Sequence, residues 1–120
     1  MPFNYLLTNL LVDVPAAVGA IFLDEEGEAV EWVTRHGDPF ELKLEGAYHA
    51  IFRRRLEDFA STLACGALLS YILAGERLTA LTRALPGGYY VVLVIDSGGS
   101  RARAGYHLER TARILARELA

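Results

Sequence analysis

The sequence predicts an α+β domain, an α/β/α sandwich in which one helix covers one face of a five-stranded, mostly antiparallel sheet and two helices cover the other. Three observations lead there. Ala17 to Leu23 and Tyr89 to Ile95 are apolar or small on both alternating sets, as strands covered on both faces are. Three strand signals crowd into Ala67 to Ile95, separated only by Gly75-Glu76 and Pro86-Gly87-Gly88, which is the spacing of an antiparallel meander. Helical 3,4 periodicity recurs at the start, middle and end of the chain.

The first helix is set by Phe3, Leu6, Leu7, Leu10, Leu11 and Val14 on one face, with Asn4, Thr8, Asn9 and Asp13 elsewhere, until Pro15 forbids continuation. Ala17 to Leu23 is the first strand. Asp24-Glu25-Glu26-Gly27 is a polar turn, and Ala29 to Thr34 resumes as the second strand of a hairpin. Asp38-Pro39-Phe40-Glu41 has the grammar of a helix start, with Asp38 as N-cap, Pro39 in the first turn and Glu41 closing a capping box. The second helix runs from there to about Phe59 or Leu63, with Gly46 weakening its early turns. Leu44, Tyr48, Ile51, Phe52, Leu56, Phe59 and Leu63 occupy about half its circumference, wider than the roughly 100° stripe that one packing surface needs, so this helix serves two surfaces. The meander supplies strands at Ala67 to Ala74, Arg77 to Leu85 and Tyr89 to Ile95. After Asp96-Ser97-Gly98-Gly99-Ser100, which ends in a candidate N-cap, Leu108, Ala112, Leu115 and Leu119 at 0, +4, +7 and +11 mark the third helix.

Two strands apolar on both faces belong together in the middle of a sheet. If the first lies beside the fifth, the order becomes 2-1-5-4-3, with the second helix on one face and the first and third on the other. The third strand is then an edge. It is apolar on both alternating sets, Leu69, Tyr71 and Leu73 against Leu68, Ile72 and Ala74, and carries neither charge nor proline before Glu76, so nothing blunts its tendency to pair. A second copy of the chain is the expected cover.

Composition narrows the function classes. With 120 residues, 52% of them apolar and 22% charged, the chain is one folded domain rather than a disordered segment. A net charge of −3 leaves no global basic field, which argues against nucleic acid as a partner. No apolar stretch reaches the roughly 20 residues of a membrane helix; the longest runs from Val14 to Leu23. The apolar opening is interrupted by polar residues and lacks a preceding cation, so it reads as part of the fold rather than a signal peptide. One cysteine, Cys65, excludes an intramolecular disulfide and fits a reducing cytoplasm; at a helix-to-strand junction it is expected to be a buried structural thiol.

Several motifs invite chemistry without completing it. Arg53-Arg54-Arg55 is the only basic run and spans about 200° of helix, so its members cannot share one ligand. It reads either as a solvated face or, with Arg53, Arg54 and Glu57 on the polar side of the second helix, as the rim of a partner-binding groove; an arginine finger is a further alternative. Ser97-Gly98-Gly99-Ser100 precedes a helix but lacks the lysine of a phosphate-binding loop, although Arg101 and Arg103 at that helix start oppose its dipole and would suit an anion. His36, His49 and His107 have no metal-ligand spacing, and the serines have no nucleophile-elbow context, so neither a metal nor a cofactor nor a catalytic residue is expected. Asp24, Glu25, Glu26, Glu28 and Glu31 lack the calcium-loop pattern and read as a solvated turn. Arg103, Arg110, Arg113 and Arg117 lie away from the apolar stripe of the third helix, either as a salt-laced exposed face or as a surface for an acidic partner or anionic membrane.

The sequence resembles the Roadblock/dynein light chain family, especially the bacterial branch that includes the gliding-motility GTPase regulator. The residues that carry the resemblance are Leu6, Leu7 and Leu10, then Val18-Gly19-Ala20-Ile21-Phe22-Leu23-Asp24 followed by Gly27, and Tyr89-Tyr90-Val91-Val92-Leu93-Val94-Ile95-Asp96 leading into an Arg-rich helix. The resemblance implies a homodimer, or a heterodimer with a related chain, in which edge strands pair and the two second helices pack antiparallel. The interface would comprise Tyr48, Phe52 and Leu56 with Leu69, Ser70 and Tyr71. It further implies a non-enzymatic module that binds and regulates a small Ras-like GTPase. The alternative is a small-ligand sensor or scaffold subunit on a longin-, profilin- or PAS-like sheet.

Overall fold

The computed structural model describes residues 3–35 and 39–119, with side chains described outside 39–48 and 50. Helix α1 (Phe3–Asp13) turns Leu6, Leu7, Leu10 and Leu11 inward and stops ahead of Pro15, where the Val14 N–H still bonds the Leu10 carbonyl at 3.1 Å. Strands β1 (Ala17–Leu23) and β2 (Ala29–Thr34) form the expected hairpin, with Ile21 opposite Trp32. Asp24 organises its turn: its carboxylate accepts the Glu26 and Glu28 N–H groups at 2.9 and 3.0 Å.

Helix α2 (Pro39–Thr62) follows; the expected N-cap Asp38 lies outside the described residues, as does the side chain of Glu41. Its far end closes in a Schellman pattern. The Cys65 N–H bonds the Ala60 carbonyl at 2.9 Å, the Ala64 N–H bonds Ser61 at 3.1 Å, and Ala64 occupies the left-handed position with φ 58°. That position favours glycine, because an L-residue there costs roughly 1 kcal/mol. Ala64→Gly is therefore expected to raise the unfolding free energy by up to about 1 kcal/mol in urea denaturation, against a small loss from the more flexible unfolded chain. The same turn carries Cys65 to the surface, which corrects the expectation of a buried thiol.

Strands β3 (Ser70–Ala74), β4 (Leu78–Ala84) and β5 (Tyr90–Asp96) form the meander, with a 3-10 turn at Pro86–Gly88, and helix α3 (Arg101–Leu119) completes the fold. Pairing in β3 starts at Ser70 rather than Ala67. The Leu69 carbonyl takes both the Ala84 N–H and the Arg83 guanidinium, each at 2.8 Å, and the preceding residues lead back to α2. Ser100 caps α3, accepting the Arg103 N–H at 3.1 Å.

The sheet order is β2-β1-β5-β4-β3, as the sequence predicts, and every neighbouring pair is antiparallel. Alternation along β1 splits the core in two. Ala20 and Phe22 face α1 and α3 together with Leu81, Val91, Leu93 and Ile95. Ile21 and Leu23 join Ala80, Tyr90, Val92 and Val94 on the opposite face, the one under α2. The third strand is left at the rim with Ile72 and Leu73 exposed, as is Leu69 just before it.

Candidate functional site

The site is an apolar surface between α2, which packs on β1 and β2, and the free edge of β3. Along α2 and into the residue after it, Phe52, Leu56, Phe59 and Leu63 recur at 0, +4, +7 and +11; Leu56 is half-buried and the other three are at least half-exposed. On β3, Ile72 and Leu73 are half-exposed as well, at 54% and 52%. Between the two elements runs a groove of about 280 Å³ lined by Phe52, Arg55, Leu56, Tyr71, Ile72 and Leu73. The outer side of β3 also leaves backbone N–H and C=O groups free for pairing.

A buried pair sets the height of α2 over this edge. His49, on α2, is 2% exposed, and its Nδ1 shares a hydrogen bond with the Tyr71 hydroxyl at 2.8 Å, the rings stacked with centroids 5.8 Å apart. Phe52 meets the His49 ring edge-on at 6.4 Å. Burial pushes the Tyr71 phenol above its usual range, so it acts as a hydrogen-bonding hydroxyl rather than as an acid.

One turn along, Arg53 points inward, which corrects the expectation that it lies on the polar side of the helix. It is 9% exposed. Its Nη1 donates to the Gly88 carbonyl at 2.7 Å, its Nη2 to the Glu25 carbonyl at 3.0 Å and its Nε to Glu57 at 3.0 Å, and the guanidinium lies 4.5 Å above the Tyr90 ring. Burial pushes the Tyr90 phenol up to about 12 despite that cation. The apolar neighbours of the run explain the direction: residue 53 is four beyond His49 and three before Leu56, which places it on the arc that meets the sheet. Arg54 and Arg55 are exposed, and Glu57 is half-exposed and held by Arg53.

Of the expected dimer residues, Phe52, Leu56 and Tyr71 converge on the groove, whereas Leu69 and Ser70 border a separate depression of about 340 Å³ against α3. The side chain of Tyr48 lies outside the described residues. Phe59, Leu63, Ile72 and Leu73 extend the surface beyond the expected set, and the continued helical spacing from Phe52 and the alternation of β3 are the signals that find them.

Several of the other candidates make contacts within the fold. Ser97 bonds the backbone of Glu76 and Arg77. Arg103 turns its Nε to the Asp13 carbonyl at 3.2 Å. His107 lies 3.9 Å from Asp13, His36 is outside the described residues, and no group of three potential metal ligands occurs among the described ones. No described helix is long and apolar enough to cross a membrane. What the surface offers is association chemistry: apolar area, unpaired strand backbone and a rim of charge.

The whole architecture, with one helix on one face of the sheet and two on the other, has counterparts among solved structures. A structure of MglB in a tetrameric arrangement superposes with a TM-score of 0.88 at 20% identity, covering 96% of this chain and 85% of that one. The chain has the Roadblock/LC7 fold. A Roadblock/LC7 domain from Streptomyces avermitilis also gives 0.88, at 14% identity over 97% and 96% of the two chains. Profilin II from Acanthamoeba castellanii gives 0.70 at 13% identity over 99% and 100%. No family model matches the sequence, and no curated protein does. The likeness to Roadblock structures therefore lies in backbone architecture, and it agrees with the resemblance read from the residues of β1 and β5.

Proposed function

We propose that this chain is a non-enzymatic interaction module that pairs with a second copy through β3 and α2, and that the assembled surface binds and regulates a small Ras-like GTPase. The observation that carries the first half is the uncovered apolar stripe of α2 lying beside an unblunted edge strand. Each large apolar side chain buried is worth about 1.5–3 kcal/mol. Several such residues from each protomer, with added strand hydrogen bonds, offset an association cost of roughly 4–15 kcal/mol. The MglB structure in its tetrameric arrangement supports self-association by analogy. The GTPase half rests on the sequence resemblance, and Arg54 and Glu57, which reach solvent on α2, are its proposed contacts.

Light scattering at micromolar concentration tests the first half: the expected mass is that of two chains. Leu73→Lys, which puts a charge at the centre of the groove twice per symmetric interface, is expected to weaken pairing about a hundredfold or more. A well-folded monomer in the unmodified protein would refute the pairing. For the second half, complex formation is measured with a purified Ras-like GTPase in its GDP and GTP forms. Binding that Arg54→Glu weakens is the expected result, and absence of binding in both nucleotide states defeats it. The superposition on profilin II favours one alternative, a ligand sensor or scaffold. A small molecule retained in native mass spectrometry would select it.

A further inference from the structure

Charge is distributed unevenly along the chain. Within α3 five arginines face two glutamates, whereas the remainder carries seven cations against thirteen carboxylates. Arg103, Tyr106, Arg110, Arg113 and Arg117 fall within an arc of about 80°, opposite the buried Ala104, Leu108 and Leu115, and span about 21 Å along the axis. All five are exposed, Tyr106 by 66%. Glu109, beside the stripe, does not cancel it, because its carboxylate is held by Arg83 at 2.7 Å, and Arg113, 3.6 Å away, stays 74% exposed at its side chain. Arginine and tyrosine are the residues that anchor protein interfaces, and the guanidinium fork suits carboxylates.

The complementary surface is on the same chain. Glu25, Glu26 and Glu28 are exposed on the β1–β2 turn. That turn is held rigid by the Asp24 carboxylate, which accepts two of its N–H groups, and by the left-handed Gly27. A pre-ordered tip loses little entropy on docking. We propose that the arginine stripe of α3 docks the acidic β1–β2 turn of a second copy, a contact separate from the β3 edge. Because stripe and turn are different patches, the contact is heterologous and adds copies head to tail. Formed by exposed charges, it is strong at low ionic strength and screened by salt.

Sedimentation velocity over a concentration series tests this with the full chain carrying Leu73→Lys, so that loss of edge pairing and loss of this contact are read separately. At about 0.01 M salt the protein is expected to sediment faster as its concentration rises, and at about 1 M salt it is not. R110E/R113E and E26R/E28R, each added to that background and checked for folding by circular dichroism, should each require at least about tenfold more protein to associate. Mixed in equal amounts they should associate again, since the acidic stripe of one then meets the basic turn of the other. Failure of that mixture to recover, or association of the parent that salt leaves unchanged, overturns the proposal. So does a stripe variant that self-associates normally while losing affinity for vesicles of phosphatidylcholine with phosphatidylserine.

Discussion

Arg53→Met is expected to lower the unfolding free energy by about 2–4 kcal/mol and the melting temperature by roughly 10 °C, measured at one fixed protein concentration so that self-association does not enter the difference. The reason is geometric. The guanidinium ties the middle of α2 to two separate turns, donating to the Glu25 carbonyl in the β1–β2 turn and to the Gly88 carbonyl in the turn before β5. Those turns already touch. A Cβ at Gly88, where φ is 82°, would stand 2.6 Å from the Glu25 carboxylate, so the Glu25 side chain packs directly on the Gly88 turn and the two turns are held close together. Methionine keeps much of the length and the apolar stem but removes every donor. Two carbonyls lose their partner, and Tyr90 loses the cation 4.5 Å from its ring. Arg53→Lys should recover only part of the loss, because one ammonium cannot reproduce a fork that serves two carbonyls and Glu57 together. Stability of the methionine variant within about 0.5 kcal/mol of the parent would show that the tie is dispensable.

Arg53 also marks where sequence reasoning stops. In a run of three arginines the expectation is a solvated face, since charged residues are rarely fully buried. Helical spacing gives the opposite answer for this one residue, as it falls between His49 and Leu56, but spacing alone does not reveal which carbonyls wait at the other end. Those come from turns 28 and 35 residues away. The sheet order is legible for the converse reason. Strands apolar on both faces, β1 and β5, can only be central, and once they are paired the short meander leaves β3 no place but the rim. The exposure of Cys65 is not legible in the residue's own chemistry, because it depends on the direction of the backbone, which turns through a left-handed Ala64 just before it. Phe59 and Leu63 carried the right spacing, yet whether an apolar helix face meets its own sheet or a neighbouring chain is decided by how far the sheet extends beneath it.

The largest loss of stability is expected from Phe22→Ala, at about 3–5 kcal/mol, which for a domain of ordinary stability removes a large share of the total. Phe22 is fully buried: it lies on a central strand, opposite Val91, with its ring edge-on to Phe3 at 4.9 Å and tilted against Tyr89 at 5.5 Å. Truncation empties space bounded by α1 and by a sheet that is hydrogen-bonded on both sides, and neither wall can collapse inward without breaking pairs. Phe22→Leu, which refills much of that volume, should cost well under half as much. The separation of the two cores adds a sharper expectation. Phe22 faces α1 and α3, whereas the groove of Phe52, Leu56 and Tyr71 lies on the α2 side, so the alanine variant should melt far earlier and yet, while folded at low temperature, retain the self-association of its parent. Chemical denaturation and light scattering on the same samples check both parts. Loss of association in the still-folded variant would mean that the α1–α3 core, and not α2 with β3, governs the contact between copies.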